Sequence, residues 1–290
     1  MNEKFWKNKK ILITGHTGFK GSWLTIWLKK LGADITGFSK SIPTNPNLFE
    51  ISNIEAEINS INGDVQDYQF LKETITKVEP EIVFHMAAQS LVIKSYSDPI
   101  ETYSTNVMGT VNLLNAIRET KKSKIVINVT SDKCYENNES LEGYKEDDPM
   151  GGHDPYSSSK GCSELITKSF RESFFNSNTK ENVALASVRA GNVIGGGDWA
   201  ENRLIPDIIR SIKNNESVNI RNPNAVRPWQ HVMDPLNGYI SLAEKLYDNQ
   251  TFSEGWNFGP EKNEIKSVSW IINKFDELWK SKIDWIVQNN

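Results

Sequence analysis

The run Lys10-Ile11-Leu12-Ile13-Thr14-Gly15-His16-Thr17-Gly18-Phe19-Lys20-Gly21 decides the fold. Its first five residues form a short apolar stretch of the kind found in a buried strand. Glycines then stand at 15, 18 and 21, and Ser22 to Leu31 reads as a helix stopped near Gly32. A strand that turns through glycines into a helix offers unpaired amide groups and a partial positive charge to a diphosphate. Glycine lets the turn bend and lets phosphates approach the backbone. Gly15, Thr17, Gly18, Phe19, Lys20 and Gly21 are therefore the candidate cofactor-binding residues of this turn. Their G-x-x-G-x-x-G spacing differs from the G-x-G-x-x-G of the commonest dinucleotide fingerprint. The bland alternative is a glycine-rich turn without a ligand. The alternation of strands and helices along the rest of the chain weighs against it.

Outward from this turn, short β-type runs alternate with helical segments, which predicts a parallel sheet with crossover helices. Strands are expected at 34–38, 58–61, 81–85, 124–129 and 182–189, and long helices over about 99–119 and 156–175. Pro80 marks the boundary before one strand, and Asp154-Pro155 the start of the second long helix. The resulting fold class is α/β, a doubly wound parallel sheet of the Rossmann type with a smaller C-terminal lobe. Residues 1–189 are expected to form the dinucleotide-binding domain. Beyond Ala190 the texture changes, with a Gly195-Gly196-Gly197-Asp198 loop and less regular elements. Residues 190–290 are expected to be mainly a substrate-binding lobe, with parts of 231–259 returning to the first domain. A last strand is expected at 283–287, with no element after it to close the fold.

Composition bounds the function. In 290 residues, 38% apolar and 24% charged side chains are ordinary for a globular chain that can bury a large core. A formal net charge of -4 argues against nucleic acid as the main partner. No apolar stretch approaches a membrane span, and no signal peptide is visible. Cys134 and Cys162 are too few for a disulfide framework and lack metal-ligand spacing, so a cytoplasmic location is the default. His85, His153 and His231 show no ligand spacing either, and no metal is expected.

Two further segments carry chemistry. In Asp154-Pro155-Tyr156-Ser157-Ser158-Ser159-Lys160, Tyr156 and Lys160 are four apart and share one helix face. A tyrosine with a pKa near ~10 is a poor base at neutral pH, but a nearby ammonium and the positive charge of a nicotinamide both favour its phenolate. Such a pair can take a proton from a sugar hydroxyl. At the end of the fifth strand stands Thr130-Ser131-Asp132-Lys133-Cys134-Tyr135. Strand ends line the ligand crevice in this architecture. Ser131 suits assistance of hydride transfer, Asp132 can protonate a leaving hydroxyl, and Lys133 can take, or stabilise loss of, a proton beside a ketone. The plain alternatives are an exposed Tyr–Lys pair and a surface ion pair between Asp132 and Lys133. After the second strand, Ser39 can bond a ribose hydroxyl, while Lys40 could accept a 2′-phosphate. That site leaves NAD and NADP both open.

Several stretches together resemble one family. TGHTGFKGSW (14–23), FHMAAQSLVIKSYS (84–97), TNVMGTVNLL (105–114), TSDKCY (130–135), RAGNVIGGGDW (189–199) and RPWQHVMD (227–234) resemble the extended short-chain dehydrogenase/reductases. Within that family they are similar to the nucleotide-sugar 4,6-dehydratases that act on CDP-glucose. Ser131-Asp132-Lys133 departs from the Thr-Asp-Glu of the dTDP-glucose branch, and leaves the C5 base open between base and stabiliser roles for Lys133. The resemblance implies NAD as cofactor, with Asp64 and Val65 at the adenine and Ala87, Ala88 and Asn106 along the cofactor. It implies Gln89 and Ser90 at the sugar, and Asn192, Arg203, Leu204, Arg221 and Arg227 at the nucleotide diphosphate. Arginine suits phosphate through its planar fork of donors.

The same resemblance implies an internal redox cycle. Tyr156 takes the C4 hydroxyl proton as hydride passes to NAD, water leaves across C5 and C6 with Asp132 as acid, and hydride returns to C6. It also implies a homodimer or tetramer built through the helices near 100–119 and 156–175, a place in deoxysugar and O-antigen biosynthesis, and a further C-terminal segment of several tens of residues. Two alternatives stay open. A nucleotide-sugar 4-epimerase or ketoreductase would share the glycine turn, Tyr156 and Lys160 without needing Asp132 and Lys133. A catalytically silent, truncated NAD-binding protein would need none of the last four.

Overall fold

The computed structural model describes residues 2–138, 143–176, 183–279 and 283–287. Its centre is a sheet of seven strands. They are β1 Lys10–Thr14, β2 Asp34–Ser39, β3 Asn59–Asn62, β4 Ile82–His85, β5 Ile125–Val129, β6 Ala184–Ala190 and an edge strand Gly255–Phe258. The order across the sheet is Gly255–Phe258, β6, β5, β4, β1, β2, β3, and every neighbouring pair is parallel. The chain winds outward from β1 on one side and from β4 on the other, so the fold is the expected doubly wound sheet. Residue 182, expected to begin β6, lies outside the described residues.

Parallel strands covered on both faces read as unbroken apolar runs rather than alternating ones. β4, β5 and β6 are buried along their whole length, and β1 is buried after Lys10. Successive side chains still point to opposite faces. Ile11, Ile13, Ile82, Phe84, Ile125 and Ile127 pack into one core with Leu24, Leu28, Leu236 and Ile240. Leu12, Val83 and Val126 pack into the other with Leu71, Ile75, Leu113 and Ile117. Each fully buried leucine or isoleucine contributes about 1.5–3 kcal/mol by leaving water. Helix Met233–Asp248 supplies Leu236, Tyr239 and Ile240 to the first core. A third, smaller core joins Ile208, Val218, Ile220, Ile272 and Ile283. There the strand Trp285–Val287 pairs in parallel with Val218–Ile220.

The expected helix over 99–119 is interrupted. Pro99–Tyr103 runs into a π-turn at Ser104–Met108, and Gly109–Thr120 continues beyond it. The wider turn sits where Asn106 bonds both main-chain groups of Gln89, its Oδ1 accepting at 2.8 Å and its Nδ2 donating at 3.0 Å. A side chain on Gly109 would meet Val65 Cγ2 at 2.7 Å, so the helix is seated close against the loop after β3. The helix after β1 spans Phe19–Lys30, earlier than the Ser22 start expected, because Gly18 takes the N-cap position.

Two histidines are sealed in this frame. His85 Nδ1 lies 2.7 Å from Thr14 Oγ1, joining the ends of β4 and β1. His16 bridges Ser39 Oγ at 2.8 Å and Ser60 Oγ at 2.9 Å, joining the first turn to β2 and β3. Burial lowers His85 to about 3 and His16 to about 4. Both are neutral in the folded chain while the unfolded chain binds their protons below about 6.5. A depressed folded-state pKa gives stability that is present above the unfolded value and lost as the pH falls toward the folded one. Unfolding by urea at pH 6.5 and at pH 5 should therefore differ by on the order of 3 kcal/mol, less stable in acid. Equal stability at the two values contradicts neutral buried rings.

Candidate active site

The glycine turn closes on its own backbone. A Cβ on Gly21 would lie 2.1 Å from the Gly15 carbonyl oxygen, and one on Gly15, whose φ is +75°, would lie 2.6 Å from Ala87 N. Gly18, at the N-cap of helix Phe19–Lys30, has no side-chain cap. The helix start is thus left for a ligand's oxygens, which is the chemistry a diphosphate needs. Thr17 is buried and donates its hydroxyl to Ser41 O at 2.7 Å. Thr14 Oγ1 accepts from the amides of Met86 at 3.1 Å and Ala87 at 3.2 Å. This places Ala87 and Ala88 across from the turn, where β1 and β4 lie side by side and the winding reverses. Such a switch point is where ligands of open α/β sheets bind.

At the far end of the turn, Ser39 is buried and its hydroxyl is engaged with the His16 ring. Lys40 is not a free cation. Its ammonium lies 2.8 Å from an Asp64 carboxylate oxygen and 3.2 Å from one of Glu101. These hydrogen bonds raise the Lys40 pKa, that to Asp64 foremost. A 2′-phosphate at this end would meet two carboxylates along with the lysine. Val65 is buried in the second core. Asn106 is buried too, and its Nδ2 also donates to Ser159 Oγ at 2.9 Å, tying the loop after β4 to helix Pro155–Phe174.

That helix starts where Asp154 accepts from the Ser157 amide at 2.9 Å, with Pro155 in its first turn. It carries Tyr156 and Lys160 on one face, both buried, at 8% and 5% exposure. Neither is the exposed surface pair of the bland reading. Ser131 follows β5, and its hydroxyl is within hydrogen-bonding reach of the Tyr156 phenol. Asp132 begins a single 3-10 turn, Asp132–Cys134. Its Oδ1 accepts from Ser131 Oγ at 3.1 Å. No ion pair within 4.0 Å joins Asp132 to Lys133 among the described residues, and Lys133 is exposed.

The electrostatics depart from expectation at one point. Lys160, expected to make the phenol more acidic, donates instead to Val129 O at 3.3 Å. Burial pushes Tyr156 up to about 12, against the pull of the Ser131 hydroxyl and the Arg203 charge. Burial lowers Lys160 to about 8, with Glu164 acting the other way. Lys20 falls to about 7, first through burial and then through the charges of Lys160 and Arg203. Its Nζ donates to the Tyr239 hydroxyl at 3.2 Å. Asp132 is withdrawn from water and its pKa rises, although Lys133, Arg227 and Lys20 all favour its anion. A carboxyl that holds its proton more firmly than usual is suited to act as an acid.

Lys20, Ser131, Asp132, Tyr156, Lys160, Arg203 and Arg227 are therefore near enough to one another, around the end of β5, to feel each other's charge or hydrogen bonds. Arg203 reaches Asp198 at 3.0 Å and Ser90 Oγ at 3.3 Å. It bridges the C-terminal part to the loop after β4. Asn192 O accepts from the Gln230 amide at 3.0 Å. Gln89, expected at the sugar, is turned inward. Its amide nitrogen donates to Leu91 O and Thr102 Oγ1, and its oxygen accepts from the Leu91 amide, so it shapes the loop that presents Ser90. Leu204 packs against the third core. Arg221 is exposed, and its charge acts on Asp207.

Three features were not read from the sequence. His16 fills the space over Gly37, where a Cβ would meet its ring at 2.3 Å. Its position inside the glycine turn was the available signal. Gly191 leaves room for Asp132, because a Cβ there would lie 3.1 Å from Asp132 Oδ2 and 2.5 Å from Pro228 Cγ. Glu164, one helical turn beyond Lys160, forms a buried ion pair with Arg189 at 2.7 Å. Its spacing of four from Lys160 was legible, but its partner, on another strand, was not.

Comparison with known proteins agrees with this geometry. The family model described as GDP-mannose 4,6 dehydratase matches residues 12–259. A CDP-glucose 4,6-dehydratase of Salmonella typhimurium is 54% identical over 290 residues, covering 99% of this chain and 81% of that protein. The fold is similar to that of an epimerase from Methanothermobacter thermautotrophicus, with TM-score 0.85 at 22% identity over 99% of this chain and 82% of that one. It is also similar to a dTDP-glucose 4,6-dehydratase from Bacillus anthracis in complex with NAD, with TM-score 0.78 at 23% identity over 97% of this chain and 86% of that one. With a family model across most of its length and a relative this similar along nearly all of it, the chain belongs to the GDP-mannose 4,6 dehydratase family of extended short-chain dehydrogenase/reductases.

Proposed function

We propose that the chain is an NAD-dependent hydro-lyase that converts CDP-glucose to CDP-4-keto-6-deoxyglucose. The observation that carries the reading is Asp132, a carboxyl of raised pKa set beside Tyr156 at the end of β5, in a chain 54% identical to a CDP-glucose 4,6-dehydratase. An epimerase needs no acid there. The glycine cradle that a Cβ would fill fits the diphosphate of a dinucleotide. NAD, when bound, supplies a ring that takes hydride from the sugar and gives it back. Gly15, Thr17, Gly18, Phe19, Lys20 and Gly21 hold its diphosphate side, Ser39, Asp64 and Val65 its adenosine side, and Ala87, Ala88, Asn106 and Lys160 the rest.

Tyr156 takes the C4 hydroxyl proton, with Ser131 and Arg203 favouring the phenolate. The C4 ketone then acidifies the C5 hydrogen. Lys133, exposed and without an ion pair to Asp132 among the described residues, takes that proton or stabilises its loss. Asp132 gives its proton to the departing C6 hydroxyl. Arg203 and Arg227, with Ser90 and Asn192, hold the nucleotide diphosphate, and their positive charge suits it. Arg221 belongs to the same lobe surface.

A second copy of the chain is the proposed partner. Ile93, Tyr96, Ile100 and Met108 are exposed on the helices of 92–108, and Leu165 on helix Pro155–Phe174. Exposed apolar side chains clustered on adjacent helices mark an association surface. No helix among the described residues is long and apolar enough to cross a membrane. Cys134 and Cys162 are both free thiols, which suits a reducing compartment such as the cytoplasm.

Incubation with CDP-, dTDP-, UDP- and GDP-hexoses, followed by alkali, should give the near-ultraviolet absorbance of a 4-keto-6-deoxy sugar with CDP-glucose; an epimer without that absorbance rejects dehydration, and cofactor binding without any turnover supports a silent protein. Asp132→Asn should lower turnover by about 10²-fold or more. Because C4 oxidation precedes the acid step, stopped-flow absorbance should then show NADH formed and not consumed, whereas Tyr156→Phe forms none. Joint replacement Asp64→Asn with Glu101→Gln frees Lys40 and should raise affinity for NADP relative to NAD by on the order of tenfold in a calorimetric titration. Ile100→Glu with Leu165→Glu should convert a sedimenting dimer into monomer.

A further inference from the structure

Three elements meet at one carboxylate beneath the proposed site. Glu164 is 4% exposed and lies on helix Pro155–Phe174, four residues after Lys160 and eight after Tyr156. It accepts from Thr130 Oγ1, from Ser187 Oγ at 2.7 Å, and from Arg189 Nη2 at 2.7 Å. Thr130 immediately precedes Ser131, and Ser187 and Arg189 belong to β6. Arg189 is itself committed. Its Nη1 donates to the Tyr135 hydroxyl at 2.6 Å and to Glu146 O at 3.0 Å, and that hydroxyl donates to Asn257 at 2.6 Å. Room for the guanidinium depends on Gly255, where a Cβ would meet Nη2 at 2.3 Å.

A buried ion pair is poor evidence of stability by itself, since two apolar residues can pack as well. What apolar residues cannot do is accept hydrogen bonds from hydroxyls on two other elements at once. We infer that Glu164, held by Arg189, is a positioning residue that keeps the strand end carrying Ser131, Asp132 and Lys133 in register with the helix face carrying Tyr156 and Lys160. The contact runs from Thr130 on one side of the Ser131 hydroxyl, while Tyr135 on the other side of the 3-10 turn reaches Arg189. The segment that holds the proposed acid and base is thus pinned at both ends to the same ion pair. A displacement of about 1 Å between reacting groups costs on the order of 10²-fold in rate, so a pin that fixes this register acts on turnover rather than on ligand affinity.

The inference rests on the dehydratase reading and is separable from it. Three variants are measured in the NAD-bound protein with CDP-glucose. Thr130→Val removes only the hydroxyl that meets the carboxylate. Glu164→Gln removes the charge, and Glu164→Gln with Arg189→Met removes the pair without leaving a lone buried cation. Each variant that keeps the unaltered protein's circular dichroism is expected to lose at least about tenfold in kcat while the KM for CDP-glucose and the Kd for NAD stay within about twofold. Loss of folded protein alone would lower kcat and the number of titratable NAD sites in equal proportion, so kcat is expressed per NAD site. Turnover by the unaltered chain with Thr130→Val and the double variant both within twofold in kcat overturns the inference and leaves the reading standing. No turnover of CDP-glucose by the unaltered chain overturns both.

Discussion

The close approach of Gly21 to the Gly15 carbonyl is the contact on which the rest is built. No atom larger than hydrogen fits between them. With that contact helix Phe19–Lys30 takes Gly18 as its N-cap, four residues after the end of β1, and has no side-chain cap. The turn is then tight enough for the loop after β4 to press against Gly15, where Thr14 takes two amides of that loop. The crevice exists because those two loops part company there, one crossing toward β2 and the other toward β5. Remove the glycine contact and both the helix start and the seating of the loop after β4 against Gly15 move.

The crevice carries an unequal charge balance. Lys20 and Arg227 act on Asp132, while Arg203 is paired with Asp198 and Lys160 feels the charge of Glu164. In a chain of net charge -4 these cations are a local concentration. Burial first, and then the charges of Lys160 and Arg203, lower Lys20 to about 7. Like charges withdrawn from water oppose one another, and a ligand's phosphates relieve them. Lys40 makes the contrast plain. It lies at the edge of the same crevice, yet two carboxylates have already answered its charge.

What could be read from the sequence was what depends on neighbours in the chain. The strand–turn–helix of residues 10–30, the helix start at Asp154-Pro155 and the spacing of Tyr156 from Lys160 all arise from local chemistry. So does the buried character of β4 to β6, since a strand covered on both faces shows it in every residue. The π-turn at 104–108 was invisible, because its cause is the docking of Asn106 onto Gln89 and of Gly109 onto Val65. The inward turn of Gln89 escaped for the same reason. Its partner Thr102 is thirteen residues away, and nothing local says whether an amide faces a ligand or a helix. Arg189 and Glu164 were each visible as a charge, but only the sheet brings them together.

The expectation that failed is also the most informative about the chemistry. A lysine four residues along a helix was expected to make Tyr156 a better base, yet in the folded chain Lys160 is spent on a carbonyl and burial pushes the phenol up to about 12. Proximity in sequence put the ammonium on the right face but could not tell what else that face would meet. A phenol held that high does not surrender its proton at neutral pH in the chain alone. Base strength must therefore come with the ligands, as positive charge brought next to the ring or as a carbonyl contact exchanged for a ribose hydroxyl.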